Sequence, residues 1–210
     1  MNIFICGQRS FGRAVLVNLF ERGHNIVGVA PPPQEKYYDK ITGAALKRKI
    51  PVISDCENIT SAQIPRNTEL VISAHSHWYI SAQTISSAKY GAIGFHPSLL
   101  PRHRGRDAVR WAVDMCDAIT GATVYWLDDK VDGGDILAQT PVFVARDWDY
   151  HRLWAEIFPI GVEMLCNAVD AISAGTAKRV PQDDRFATWE PPFDGTARLP
   201  RSELLQIGTS

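Results

Sequence analysis

Residues 2–30 read NIFICGQRSFGRAVLVNLFERGHNIVGVA, and the order of elements within this run decides the fold class. Residues 2–6 form a short apolar strand ending at Gly7, and residues 11–22 carry apolar side chains at helical spacing. Residues 25–30 are again apolar and β-branched, and Pro31-Pro32-Pro33 stops that second strand. Strand, helix, strand is a βαβ unit, which requires a right-handed crossover and a parallel pair of strands. Between the first two elements, Gly7-Gln8-Arg9-Ser10-Phe11-Gly12 is neither GxGxxG nor a Walker A loop. The second strand ends in Ala30-Pro31, with no acid to hold a ribose. The two glycines are therefore read as making a tight strand–helix turn, and a dinucleotide-binding enzyme is excluded.

Working outward, residues 41–49 predict a second helix, 51–54 a short third strand, 69–74 a fourth strand and 80–88 a short helix. An apolar run at 90–93 leads into the loop Gly94-Phe95-His96-Pro97-Ser98-Leu99-Leu100-Pro101-Arg102-His103-Arg104-Gly105. Asp107 is placed to cap a helix over 108–115. Residues 122–127 and 136–144 read as two strands, with Asp132-Gly133-Gly134 predicting a tight turn between them. Residues 150–174 form a long amphipathic helix, with Gly175 where a terminating glycine belongs. The segment 179–210, with Pro181, Pro191, Pro192 and Pro200, shows no sustained period. It is an extended arm, a docking segment or a disordered stretch. The chain thus divides into a domain over 1–178 and a tail over 179–210.

Composition narrows the class. Hydrophobic residues make up 45% and charged residues 21%, ordinary for a soluble globular protein, and 22 basic side chains almost balance 23 acidic ones. No general polyanion footprint is present, so no nucleic-acid partner is expected. No apolar run reaches the ~18 residues of a membrane span, and the N-terminus reads as a strand rather than a leader. Cys6, Cys56, Cys116 and Cys166 share no ligand spacing and read as free thiols of a cytoplasmic protein. His75 and His77 stand two apart with no third ligand nearby, so no metal is expected.

Two loops carry the chemistry. His96, held beside Pro97 at a strand end, can give or take a proton near neutral pH. Asp132 can orient that imidazole, support its charge or hold a water molecule. Together they suit attack on an acyl carbonyl, where an oxyanion forms and a leaving nitrogen needs a proton. There is no GxSxG elbow and no evident cysteine nucleophile, which favours direct attack by an external nucleophile. Arg102, Arg104, Arg106 and Arg110 form a basic cluster in sequence that reads either as an anion-holding patch or as a solvated face.

His96-Pro97-Ser98-Leu99-Leu100-Pro101, then Arg104-Gly105, Thr120-Gly121-Ala122-Thr123 and Asp132-Gly133-Gly134, together resemble the folate-dependent formyltransferase family. That family includes the glycinamide ribonucleotide, methionyl-tRNA and amino-sugar formyltransferases. The likeness, spanning roughly residues 1–190, is strongest to the N-terminal hydrolase domain of 10-formyltetrahydrofolate dehydrogenase. It rests there on the 98–105 run, the Tyr125-Trp126-Leu127-Asp128-Asp129 strand end and Ile5-Cys6-Gly7-Gln8. The resemblance implies an α/β, Rossmann-like, open and mostly parallel sheet flanked by helices. It implies 10-formyltetrahydrofolate as cofactor, with tetrahydrofolate as product. His96 is then the general acid and Asp132 its essential partner. Trp78, Tyr79 and Ile80 line the folate pocket, and Ser98, Leu99, Leu100 and Pro101 run along the cofactor with Asp132. Folate would enter between residues 78–80 and 128–132.

The implied reaction is formyl transfer to a small-molecule amine, or hydrolysis of the formyl group to formate. The alternative is a folate-binding protein of the same fold with impaired chemistry. That alternative arises at Gly94, where the family's transferases carry an asparagine whose amide stabilises the oxyanion; losing such a donor costs ~2.7–4 kcal/mol. The resemblance implies that the glycine admits a replacing water or a bulkier acceptor. It ends soon after Ala187-Thr188-Trp189-Glu190-Pro191-Pro192, so neither a tRNA-gripping domain nor an aldehyde dehydrogenase module is expected. A homo-oligomer remains open, with the tail as a means of docking.

Overall fold

The computed structural model describes residues 1–33, 39–53 and 59–193. One six-stranded sheet is ordered β2-β1-β3-β4-β5-β6, formed by β1 (Asn2–Gly7), β2 (Asn25–Ala30), β3 (Leu70–Ala74), β4 (Ala92–His96), β5 (Ile119–Trp126) and β6 (Ile136–Phe143). The first four strands pair in parallel, as the βαβ opening demands, and β5 and β6 close the sheet antiparallel. Around it lie α1 (Arg9–Glu21), α2 (Lys40–Lys47), α3 (Ala82–Ser86), α4 (Ala108–Asp114) and α5 (Tyr150–Ser173). The fold is the α/β, Rossmann-like, mostly parallel sheet expected from the sequence.

Strand alternation splits the core into two layers. Ile3, Ile5, Leu70, Ile72, Ile93 and Phe95 face α1 and α5 in the larger one. Phe4, Cys6, Val71 and Ala92 pack with Trp78, Ile80 and Ala88 in the smaller one. Gly7 and Gly12 serve close approach: a Cβ on Gly7 would stand 2.9 Å from the Ala74 carbonyl oxygen, and one on Gly12 3.1 Å from the Gly7 carbonyl carbon.

The larger layer fixes the strand that carries His96. Phe95 stacks on Phe11 with ring centroids 4.6 Å apart. It also meets α5 at Gly161, where a Cβ would fall 2.4 Å from the Phe95 ring. With Phe95 wedged on one face of the sheet, its neighbour His96 is presented on the other. Asp149 caps α5 by accepting from the Arg152 N–H, and Gly175 beyond its end adopts φ 71°, as its placement predicted.

Several expectations are corrected. The strand predicted over 51–54 reduces to a single bridge, Val29 to Val52, because only that short segment reaches the edge strand β2; Ser54 lies outside the described residues. Asp107 precedes α4 but does not cap it: its backbone is left-handed (φ 61°) and its carboxylate accepts from the Phe193 N–H instead. The connection from β5 to β6 is the nine-residue loop 127–135 rather than a tight turn. Residues 180–193 run along the chain's own loops: Val180 bridges Ile136, and Trp189 bridges Arg104. Residues 194–210 and Cys56 lie outside the described residues, while Cys116 and Cys166 form no disulfide.

Candidate active site

Four consecutive inward positions of the antiparallel β4–β5 pair build the floor of the site. Gly94 lies opposite Tyr125 and His96 opposite Thr123, so all four share one face of the sheet. Thr123 is fully buried and anchors the loop that leaves His96. Its hydroxyl donates to the Ser98 carbonyl (2.7 Å) and accepts from the Leu100 N–H (3.2 Å). Gln139 on β6 adds a donor to the Leu100 carbonyl at 2.8 Å. Ser98 is buried and donates to the Arg102 carbonyl, Leu100 is buried, and the Leu100–Pro101 peptide is cis. Leu99 lies against Gly121, where a Cβ would stand 2.7 Å from the Leu99 side chain.

Across the site, the loop 127–135 folds back over the sheet. Asp132 sits in the left-handed region (φ 51°), and a Cβ on Gly134 would fall only 1.8 Å from the Trp126 carbonyl oxygen. The Asp-Gly-Gly sequence is thus required by geometry: an aspartate tolerant of positive φ, then a residue with no side chain.

The two loops meet as predicted. His96 is 6% exposed, and its Nδ1 lies 3.4 Å from Asp132 Oδ2. Its Nε2 lies 2.6 Å from the His103 carbonyl oxygen, which can only accept, so Nε2 carries a proton. Nδ1 therefore faces the carboxylate with the looser of the two contacts. Asp132 receives two further donors: the Gly105 N–H to Oδ2 at 2.7 Å and the Tyr125 hydroxyl to Oδ1 at 2.5 Å. These two donors, one on each oxygen, hold the carboxylate in one orientation.

Behind His96 stands a second charged group that sequence reading missed. The His103 ring, 1% exposed, lies between Asp117 (Nε2 to Oδ2, 2.8 Å) and Glu190 (Nδ1 to Oε2, 3.0 Å, an ion pair rather than a well-angled hydrogen bond). Burial alone would lower the His103 pKa, but the two carboxylates outweigh it and leave it raised. Burial likewise favours a protonated Asp117, yet His103 and Arg102 hold its carboxyl below the usual range.

The tail joins the two loops. Thr188 accepts from the His103 and Arg104 N–H groups, and Gln182 donates to the Asp132 (2.9 Å) and Gly134 (2.7 Å) carbonyls. No sequence signal marked Gln182 or Thr188, because a polar residue in a proline-punctuated tail has no periodicity to betray its partner. The arginine cluster does not persist as one patch. Arg104 is 5% exposed and bound to Gln182 and Asp184, Arg102 pairs with Asp117, and Arg110 lies over the Tyr150 and Phe193 rings.

The remaining predicted residues lie on the same face of the sheet as His96. Trp78 and Ile80 are buried in the smaller core layer with Leu127 packed against it, and Trp78 Nε1 donates to the Pro31 carbonyl. Tyr79 is 65% exposed. An open cavity of about 770 Å³ lies between α3 and the start of the 127–135 loop, lined by Ile85, Tyr90, Trp126, Asp128 and Asp129 among others; His96, Asp132 and residues 78–80 are not in its wall. Among the described residues no group of side chains is arranged to hold a metal ion, and no helix is long and apolar enough to cross a membrane.

The fold and site together are an open α/β sheet with a buried histidine at the end of β4 facing a carboxylate from the 127–135 loop. The particular family follows from comparison: the pattern of the formyl transferase family matches residues 1–169, and the chain belongs to that family. It is 35% identical over 202 residues to the cytosolic 10-formyltetrahydrofolate dehydrogenase of Xenopus laevis, covering 91% of this chain and 22% of that protein. Identity to the mitochondrial 10-formyltetrahydrofolate dehydrogenase of Homo sapiens is 33%, covering 90% and 22%. The chain thus spans about a fifth of the length of these relatives. Among solved structures, glycinamide ribonucleotide transformylase 1 from Symbiobacterium toebii superimposes with a TM-score of 0.73 at 18% identity, covering 86% of this chain and 94% of that one. At that identity the likeness speaks for the fold.

Proposed function

We propose that this enzyme takes the formyl group from 10-formyltetrahydrofolate and passes it to a small-molecule amine or to water, releasing tetrahydrofolate. The observation that carries the reading is the buried His96–Asp132 contact, with Nε2 tethered and Nδ1 facing the carboxylate at 3.4 Å. When bound, the formylated folate supplies an electrophilic carbonyl on a nitrogen leaving group. His96 protonates that nitrogen or stabilises the oxyanion, and Asp132 supports the positive charge on His96 and relays the proton.

Trp78 and Ile80 are buried in the core layer on the His96 face of the sheet, Leu127 packs against that layer, and Tyr79 is exposed. What supports a folate is this exposed aromatic ring next to an apolar layer, a surface suited to a flat ring system. In this reading Trp78, Tyr79 and Ile80 hold the ring, while Ser98, Leu99, Leu100 and Pro101 flank the formyl end next to Asp132. The structural relatives include sugar N-formyltransferases and glycinamide ribonucleotide transformylases, which makes amine acceptors the first class to try.

The test is tetrahydrofolate release from 10-formyltetrahydrofolate, measured with and without amino sugars and small ribonucleotide amines. Release is expected, and His96→Ala should lower it by roughly 10²–10⁴-fold. Tight folate binding with no release under any condition would refute the enzymatic reading and leave a folate-binding protein. Turnover unaffected by His96→Ala would refute the mechanism while leaving the donor in place.

A further inference from the structure

The space beside Gly94 is occupied. A Cβ built there would stand 2.9 Å from Leu127 Cδ1 and 3.2–3.3 Å from Tyr125 Cε1 and Cζ. The Tyr125 ring lies across this position and takes the room a larger group would need. Tyr125 is directly opposite Gly94 in the β4–β5 register, is 7% exposed, and delivers its hydroxyl to Asp132 Oδ1 at 2.5 Å.

We infer that Tyr125 is a positioning residue for Asp132, and that Gly94 is the condition for it: only a residue without a side chain lets the ring lie flat enough for its hydroxyl to reach the carboxylate. The inference rests on the proposed role of the His96–Asp132 pair. Its logic is a division of labour between the two carboxylate oxygens. Tyr125 takes Oδ1 and the Gly105 N–H takes Oδ2, so the carboxylate plane is fixed while Oδ2 still faces His96 Nδ1. Burial, followed by the Asp132 charge, pushes the Tyr125 hydroxyl well above its ordinary pKa, so it remains a donor over the working pH range.

Three variants, Tyr125→Phe, Gly94→Ala and the double variant, test this. Tyr125→Phe keeps the ring and removes only the donor; kcat is expected to fall about 10–100-fold, the range for losing a hydrogen bond to a charged group. Gly94→Ala should push the ring away and cause a loss of the same order. The double variant should be no worse than the poorer single one, because both remove one interaction. Losses that multiply in the double variant, or a Tyr125→Phe enzyme with unchanged kcat, would overturn the inference.

A readout independent of turnover separates this from the functional reading. The orientation of the Asp132 carboxylate, read in a crystal structure of Tyr125→Phe with thermal unfolding as a check on folding, should relax from its contacts with the Gly105 N–H and His96 Nδ1. An unchanged Asp132 orientation in a folded variant would overturn the inference. A relaxed Asp132 in a protein that releases no tetrahydrofolate would sustain the positioning role and refute the proposed reaction.

Discussion

Glu190→Gln is the perturbation that best probes how the tail supports the site. The His103 ring is 1% exposed, and Glu190 and Asp117 side chains are 8% and 15% exposed. Gln keeps the shape and removes one of two charges facing the ring. Breaking a buried ion pair costs ~3–5 kcal/mol when a charge is stranded, but Asp117 remains 2.8 Å away, so the loss of a single charge-assisted contact, about 2 kcal/mol, is the better scale. At roughly 2–4 °C per kcal/mol for a chain of this size, Tm should fall by roughly 4–8 °C.

The pH dependence carries the sign. His103 has a folded pKa raised above 6.5, so its stabilisation is fully present below that value and is lost as pH rises through the folded pKa. Asp117, depressed below 3.8, contributes above that value and loses its contribution as pH falls through its lower folded pKa. The network is therefore strongest between about pH 4 and 6.5. Differential scanning calorimetry across pH 5 to 9 should show the gap between Glu190→Gln and the unaltered protein narrowing on the alkaline side. A gap of constant size, or no gap at pH 6, would refute the charge-based account. Since the His103 carbonyl holds His96 Nε2, tetrahydrofolate release should also fall in this variant.

Gln182→Ala removes two donors to the Asp132 loop and an acceptor for Arg104 at 2.7 Å, for a cost of about 1–3 kcal/mol. Urea unfolding measures that loss, and a raised KM or lowered kcat for folate release reports the loosened Asp132. Gly161→Ala drives a methyl against the Phe95 ring and should cost about 1–3 kcal/mol by overpacking, read as a lower urea midpoint; an unchanged midpoint would mean that α5 is free to shift.

A single chain of symbols was enough for the sheet and for the two reactive loops. The period of apolar residues and the Pro31–Pro33 stop identify the βαβ start without any tertiary knowledge, because periodicity is a local property. His96 and Asp132 are legible for a related reason: each sits in a short contiguous motif, His96–Pro101 and Asp132-Gly133-Gly134, and it is the joint match of these motifs to the family, not the residue types alone, that singles them out. Their meeting at 3.4 Å agrees with that reading.

What surrounds the pair was decided only by folding. Gly94 looks from sequence like an empty position, yet antiparallel register sets Tyr125 and Leu127 into it, and a register is a relation between strands that neither strand encodes alone. Four arginines close in sequence look like one basic patch, yet Arg102, Arg104 and Arg110 turn to different partners, because an irregular loop gives way to α4 within this stretch and leaves no single face. Gln182, Thr188 and Glu190 have no periodicity at all, and they matter because the tail returns to lie against loops some eighty residues earlier. The His96 and Asp132 motifs are thus local properties of the sequence, and the shell that holds the pair in place is a property of the fold.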